Sequence, residues 1–312
     1  MLNLILQGII PVVFVIALGY YSGRKKIIDQ GGARNFSAFI VKFALPCTLF
    51  VGIFNFTPQQ LENVPYLVTL VLTLTIPFAI AVLIGRWGFR KPANEASLFG
   101  CNSGFPNMAY FGLPILASIL GAQGLLPVIV GNLVTSIFLV PVIVFLLHHG
   151  GAVSPGQKRG SFVANILNTF KQSVVWAPIL GLVLVLFGFK LPLLIKLPLQ
   201  VIGNATGGVA LFTLGVLLSA LKFRVDFASV VVTLVKNLAM PALALGLGYI
   251  FRLDGVLVKG AVIIAACPSA TIGAIFSTTY KVGEKTVPGQ ILFSTLFGVF
   301  SMAFWIYVVE KI

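Results

Sequence analysis

The sequence predicts an all-α membrane protein with ten transmembrane helices. We expect two inverted five-helix repeats, in which the fourth and ninth helices are broken and cross at the midplane. Of the 312 residues, 58% are hydrophobic and only 9% are charged, whereas a soluble domain has about 25% charged residues. The apolar residues form uncharged runs of about 20 residues, the length of a helix that crosses a ~30 Å hydrocarbon core. Matching proline motifs also recur in the two halves of the chain.

The predicted spans follow from the apolar runs, which turn or charge signals separate. They lie at 1–23, 35–61, 63–85, 96–120, 125–147, 172–189, 197–221, 227–251, 260–280 and 286–309. The first run lacks the basic start and the cleavage site of a removable signal peptide, so we expect it to be a span. The stretch 96–157 has no charged residue, and we expect the turn at 121–124 to divide its apolar part into two helices.

Four sequence marks recur in the same order in both halves, at offsets of 167, 164, 162 and 159 residues. They pair Pro11 with Pro178, Pro77 with Pro241, Pro106 with Pro268, and 135–138 with 294–297. Since five spans is an odd number, the second repeat must enter the membrane from the opposite side. Inverted repeats are typical of secondary transporters. We therefore divide the chain into a first repeat (1–147), a linker (148–171) and a second repeat (172–312).

The basic residues predict the orientation. The odd-numbered loops carry 14 lysines and arginines, whereas the even-numbered loops and both termini carry five. Because cytoplasmic loops are enriched in basic residues, we place the odd-numbered loops in the cytoplasm. This prediction puts both termini outside, makes the central linker cytoplasmic and assigns the chain to the cell membrane as a multi-pass protein.

The predicted fourth span has an unusual density of glycine, proline and asparagine. Pro106 and Pro114 each remove a backbone donor, and Ser103, Gly104 and Asn107 surround the first of them. We expect a broken helix, because free N–H and C=O groups are tolerated in a membrane only where protein or a polar cavity satisfies them. A half-helix start offers amide donors and a partial positive charge to an anion. A kink filled by neighbouring side chains is the alternative.

The predicted ninth span carries a similar break. Pro268 lies near its middle and is followed by Ser269, Thr271 and Gly273. Small and hydroxyl residues allow two helices to approach closely. We therefore expect the two broken helices to cross and to enclose one site.

The charged residues limit what chemistry can occur within the membrane. All seven acidic residues fall in loops or at helix ends, which argues against a proton relay or a sodium site built on carboxylates. Lys42 lies near a span end and can snorkel, but Lys236 lies close to the midplane. Its partner is either a substrate anion or the freed carbonyls of a broken helix. Three cysteines without CxxC spacing predict neither a disulfide framework nor a zinc site, so we expect no metal and no cofactor.

Several motifs together resemble a known family. They are Phe105-Pro106-Asn107 with Gly112-Leu113-Pro114, Cys267-Pro268-Ser269-Ala270 through Phe276 and Tyr280, Phe43-Ala44-Leu45-Pro46, Val174-Val175-Trp176-Ala177-Pro178, and Lys236 before Met240-Pro241. These residues resemble the auxin efflux carrier family, which includes bacterial malonate and malate carriers and the plant PIN-FORMED proteins. The resemblance implies a scaffold bundle of helices one, two, six and seven, a transport bundle of the others, and a homodimer. Gly273 stands where PIN-FORMED members have a proline, so the resemblance does not extend auxin specificity to this chain.

The leading functional interpretation is a secondary transporter that moves a small organic anion, such as malonate, malate or an auxin-like acid, by alternating access. An anion channel is the alternative. An enzyme is disfavoured, because no nucleophile motif and no acidic pair lies in a span. We expect the lipid bilayer and the anion as partners and no nucleic acid, because the sequence has no basic face. The predicted substrate-binding residues are Ser103, Gly104, Asn107, Lys236, Ser269 and Thr271, with Pro106, Pro114, Pro268 and Gly273 shaping the crossover.

Overall fold

The computed structural model describes residues 2–58, 62–151, 172–220 and 226–312, with side chains from residue 10 onward. Most of the predicted linker, from residue 152 to residue 171, lies outside these ranges. The described residues form helices and no strands, which confirms the all-α prediction. The helices are α1 (Leu2–Arg24), α2 (Gln30–Ile53), α3 (Val64–Gly88), α4 (Ala93–Gly104), α5 (108–120), α6 (125–149), α7 (Ser173–Leu186), α8 (Leu193–Ser219), α9 (Phe227–Ile250), α10 (Gly255–Ala266), α11 (Ile272–Tyr280) and α12 (Val287–Glu310).

Six helical runs in the described residues are long and apolar enough to cross a membrane. One of them, Met108–His149, has 42 residues, which at 1.5 Å per residue would extend about 63 Å as a continuous helix. The 3₁₀ turn Gly121–Gly124 divides it into α5 and α6. Gly121 has a φ of 58° there, a left-handed conformation that favours glycine. This turn is the one that the sequence analysis selected.

Acidic residues set the start of several helices. Asp29 accepts a hydrogen bond from the Gly32 amide at 2.7 Å, so α2 begins at Gln30, five residues before the predicted start at 35. Asp254 accepts from the amides of Val256 and Leu257 at 3.0 Å, so α10 begins at Gly255 and not at 260. A carboxylate at this position satisfies amides that lack a helical partner. Capping therefore explains why these acids lie at helix ends.

Prolines widen the helices locally. Four π-helical segments end two residues before a proline: Ile40–Ala44 before Pro46, Met108–Gly112 before Pro114, Thr135–Leu139 before Pro141, and Val235–Ala239 before Pro241. A proline lacks an N–H and its ring displaces the carbonyl four residues earlier. A turn with one extra residue accommodates this displacement. These four prolines thus mark where their helices widen, whereas the π-helical segment Ile84–Gly88 has no proline at that position.

The helices pack in two groups. α1 packs most extensively against α8, and α2 contacts both α7 and α8. In the second group α3 packs on α4 and α9, α9 on α10, and α12 on both α9 and α10. The first group consists of α1, α2, α7 and α8, which lie at the first, second, sixth and seventh predicted spans. These are the helices of the scaffold bundle that the family resemblance implies. α5 contacts α1 and α8 of the first group and α10 of the second.

Candidate functional site

Two interruptions of the helices lie side by side. α4 ends at Gly104 and α5 begins at Met108, while α10 ends at Ala266 and α11 begins at Ile272. We call the two intervening segments, 105–107 and 267–271, the crossing. Both interruptions fall inside the predicted fourth and ninth spans.

The backbone groups of the crossing satisfy each other. Pro106 and Ser269 form an isolated antiparallel bridge. The Asn107 amide donates to the Pro268 carbonyl at 2.8 Å, and the Ala270 amide donates to the Phe105 carbonyl at 2.9 Å. Buried amides must be paired, so these bonds hold the two segments in a defined register.

Ser269 connects the two segments through its side chain as well. Its hydroxyl donates to the carbonyl of Asn102 at 2.5 Å. That carbonyl lies four residues before Pro106, whose missing N–H would otherwise have been its helical partner. The Ser269 hydroxyl of the second segment therefore donates to the Asn102 carbonyl, which has no helical partner because of Pro106.

Asn102 and Gln290 join the site although the sequence analysis did not select them. The side-chain Nδ2 of Asn102 donates to Gln290 Oε1 at 2.7 Å, and both side chains are fully buried. A Cβ on Gly273 would lie 2.1 Å from Asn102 Oδ1, so only glycine allows this approach. Two carboxamides inside predicted apolar spans are the signal that could have identified the pair.

A cavity of about 330 Å³ lies against the crossing. Among the described residues its polar lining comes from Asn107, Tyr110, Asn132, Ser136, Gln172 and Thr271, and none of these lining residues is acidic or basic. Asn107 is 4% exposed, and its Nδ2 has no hydrogen-bond partner within the described parts of the chain. A buried amide without a partner is unfavourable by about 1–3 kcal/mol, which makes this atom the strongest feature of the cavity.

The predicted site residues divide into two sets. Pro106, Asn107 and Thr271 line the cavity. The other residues lie behind or beside it, and Gly104 packs against Phe78, whose Cβ would be 2.4 Å from a Cβ at that position. This second set contains Ser103, Gly104, Pro114, Lys236, Pro268, Ser269 and Gly273.

Lys236 lies in α9 and is fully buried. Its Nζ donates to the Ala265 carbonyl at 2.6 Å, near the end of α10. A cation at a helix C-terminus interacts favourably with the free carbonyls there. Of the two partners considered for Lys236, the structure gives it the carbonyl, and a contact with substrate stays a prediction.

Comparison with known proteins gives one consistent result. A family model described as "Membrane transport protein", the auxin efflux carrier family, matches residues 4–306. The transporter YfdV of Escherichia coli (strain K12) is 28% identical over 312 residues, which cover 99% of this chain and 98% of that protein. A protein of Rhizobium meliloti (strain 1021), named as a proposed malonate transporter, is 25% identical over 317 residues, covering 97% and 95%. Auxin efflux carrier component 8 of Arabidopsis thaliana is 21% identical over 345 residues, covering 94% of each chain.

The family match extends over nearly the whole chain and confirms the resemblance found in the sequence. The proteins on which it rests are membrane transporters and not enzymes. The chain therefore belongs to the auxin efflux carrier family and is a multi-pass membrane transport protein.

Proposed function

We propose that this protein is a secondary transporter that moves a small organic anion by alternating access. In this proposal the chain forms ten spans in two inverted repeats, and α4–α5 and α10–α11 are the two broken spans that cross at the midplane. The anion binds in the cavity beside the crossing. We further propose that the transporter works as a homodimer in the cell membrane, with both termini outside.

The proposal rests mainly on the side-chain amide of Asn107, which has no hydrogen-bond partner among the described residues. Asn107 lines the cavity, and its side-chain Nδ2 is buried and has no acceptor among the described residues. A carboxylate oxygen would supply that acceptor, and an ionised acceptor makes the stronger hydrogen bond. A bound substrate would therefore supply the hydrogen-bond acceptor that the Asn107 side chain lacks.

The start of α11 supports the same polarity of ligand. Thr271 and Ile272 line the cavity at the first turn of this nine-residue helix. The first amides of a helix have no helical partner, and the helix dipole places partial positive charge there. Lys236, which bonds the Ala265 carbonyl beside the crossing, would add a positive charge there. Since none of the described lining residues is acidic, the cavity favours an anion over a cation.

The names of two relatives suggest which anions to test. One relative is named for malonate and another for auxin efflux. Both ligands are small carboxylic acids, and the cavity of about 330 Å³ leaves room for a mono- or dicarboxylate of that size. Malonate, malate and indole-3-acetate are therefore suitable probes.

The cavity reaches Gln172 and Val174 at the start of α7, on the side of the predicted cytoplasmic linker. This arrangement fits an inward-open state of the transport cycle, with the substrate site accessible from the cytoplasm.

Replacing Asn107 with alanine tests the proposal. In proteoliposomes loaded with malonate, malate or indole-3-acetate, we expect wild-type protein to give counterflow and Asn107→Ala to lose at least tenfold in affinity. One charge-assisted hydrogen bond contributes about 1.5–3 kcal/mol, or roughly ten- to a hundredfold.

The control is Asn204→Ala, which removes an exposed asparagine of α8 away from this cavity. It should transport like the wild type. Wild-type rates in Asn107→Ala would place the site elsewhere. Flux of these anions without counterflow would instead support the anion channel, because a channel does not exchange one substrate for another.

A further inference from the structure

Asn237 is a buried junction between α9 and α12. Its Oδ1 accepts from the Ser294 hydroxyl at 2.7 Å, and its Nδ2 donates to the Ser294 carbonyl at 3.1 Å and to Ser301 Oγ at 3.3 Å. Its backbone carbonyl accepts from Trp305 Nε1 at 2.9 Å. That carbonyl lies four residues before Pro241, so the indole fills the acceptor that the proline leaves free. Every polar group of the Asn237 side chain is thus bonded, and the residue is fully buried.

Ser294 extends this junction to the crossing. Its hydroxyl oxygen accepts from the amide of Ser269 at 3.0 Å while its proton goes to Asn237. A hydroxyl has one proton to donate. The Ser294 carbonyl can only accept, so it takes the Nδ2 of Asn237, and this leaves Asn237 Oδ1 to accept the Ser294 proton. The directions of these bonds are therefore fixed from α9 to the crossing.

Two neighbours in α9 together replace one missing helical bond. In a continuous helix the Ser269 amide would donate to the carbonyl of Ala265, four residues earlier. Here the amide is taken by Ser294, which Asn237 orients, and the carbonyl is taken by Lys236. The π-helical segment Val235–Ala239 carries both Lys236 and Asn237. It therefore holds both ends of the interruption open.

We propose that Asn237 and Ser294 are positioning residues for the substrate site. This inference rests on the proposed function. Neither residue lines the cavity, so both act through Ser269, which is two residues before Thr271 and three before the start of α11. By fixing the Ser269 amide they set where the first turn of α11 points relative to Asn107. Loss of this support lets the crossing shift and lowers the affinity for the anion.

Ser294→Ala tests the inference against a matched neighbour. This variant removes the acceptor for Ser269 and the donor for Asn237. The control is Thr295→Val: Thr295 is also buried, but among the described residues its hydroxyl bonds only the Ile291 carbonyl of its own helix, at 2.8 Å. We measure counterflow of whichever acid, malonate, malate or indole-3-acetate, exchanges fastest in the wild type.

We expect Ser294→Ala to raise the Michaelis constant at least tenfold, with a smaller change in maximal rate, and Thr295→Val to keep both values within threefold. Ser294→Thr retains the hydroxyl and should restore most of the affinity. If Ser294→Ala does not fold, Trp305→Phe serves as a second variant, because it leaves Ser294 and Asn237 in place and removes the donor to the Asn237 carbonyl together with part of the indole ring. It should also raise the Michaelis constant, though less.

Two results would overturn the inference. One is an equal Michaelis constant in Ser294→Ala and Thr295→Val. The other is a fall in melting temperature in Ser294→Ala or Trp305→Phe with an unchanged Michaelis constant, which would mean that the junction only stabilises the bundle. The Asn107→Ala experiment separates this failure from failure of the proposed function. A defective Asn107→Ala with a normal Ser294→Ala leaves the substrate site in place and removes only the positioning role.

Discussion

At the scale of single residues, buried donors in this protein lie where helix irregularities leave carbonyls free. Ser269 donates to the Asn102 carbonyl, Lys236 to that of Ala265, and Trp305 to that of Asn237. A buried carbonyl without a partner is unfavourable by about 1–3 kcal/mol. These polar side chains therefore allow interruptions that a membrane would otherwise disfavour.

Two variants of Lys236 distinguish the effect of its hydrogen bond from the effect of its positive charge. Lys236→Met loses both the donor to Ala265 and the positive charge, whereas Lys236→Gln keeps a donor but loses the charge. We expect Met to lower the free energy of unfolding by about 1–3 kcal/mol, because the Ala265 carbonyl is left unpaired. Gln should retain more stability but weaken anion binding roughly tenfold, a loss of about 1.4 kcal/mol.

Thermal stability without ligand and affinity for the transported acid are the two measurements. Lys236→Arg keeps the charge and should bind more tightly than Lys236→Gln. Unchanged affinity in Lys236→Gln together with a less stable Lys236→Met would restrict this lysine to tying the end of α10 to α9.

At the scale of helices, four prolines each follow a π-helical turn, and Pro114 follows the turn next to Asn107. The segment Met108–Gly112 is π-helical and precedes Pro114, and it begins immediately after Asn107. The extra residue in that turn sets the rotation of α5 relative to its own start. The direction of the Asn107 side chain thus depends on a proline seven residues later.

Pro114→Ala should relax this π turn toward an α-helix. The restored N–H can bond the carbonyl four residues earlier, so we expect equal or higher melting temperature together with a substantial loss of transport. Pro198→Ala is the control, since Pro198 is exposed inside α8, whose described residues contain no π segment. Equal transport rates in both variants would contradict a role of the π turn in shaping the site.

At the scale of the whole molecule, the two helix groups meet around the cavity. The cavity is lined by α2 and α7 of the first group, by α11, which packs on α4 and α12 of the second group, and by α5 and α6, which contact helices of both groups. Motion of one group against the other would close this side and open the opposite side. A site between two bodies is what alternating access requires.

Thiol labelling tests the orientation and the access side together. In a Cys47→Ser background we introduce cysteine at Ile275, which lines the cavity and is 59% exposed, or at Val256, which is 40% exposed at the start of α10. The remaining native cysteines, Cys101 and Cys267, are buried. An impermeant maleimide should label Ile275→Cys only from the cytoplasmic side and Val256→Cys only from outside.

The reverse pattern would show that the orientation predicted from the basic residues is wrong. Labelling of Ile275→Cys from outside, with Val256→Cys also labelled from outside, would contradict the inward-open interpretation alone. The two outcomes are therefore distinguishable in one experiment.

The sequence by itself determined the helical class, and it predicted ten spans from apolar runs and two broken helices from their prolines. These properties are local. A run of apolar residues, a proline or the turn at Gly121 acts within one or two turns of helix. Helix starts were less well predicted, because the capping carboxylates of Asp29 and Asp254 extended α2 and α10 beyond their apolar runs.

Only the tertiary structure decided which groups pair. Ser269 bonds Asn102 across 167 residues and Asn102 bonds Gln290 across 188. No periodicity encodes such partners, since they depend on how helices from both halves of the chain superpose. For the same reason the sequence selected Asn107 and Thr271, which line the cavity, together with Lys236 and Ser269, which lie behind it. It missed Asn237, whose side chain is understood only once α12 is placed beside the crossing.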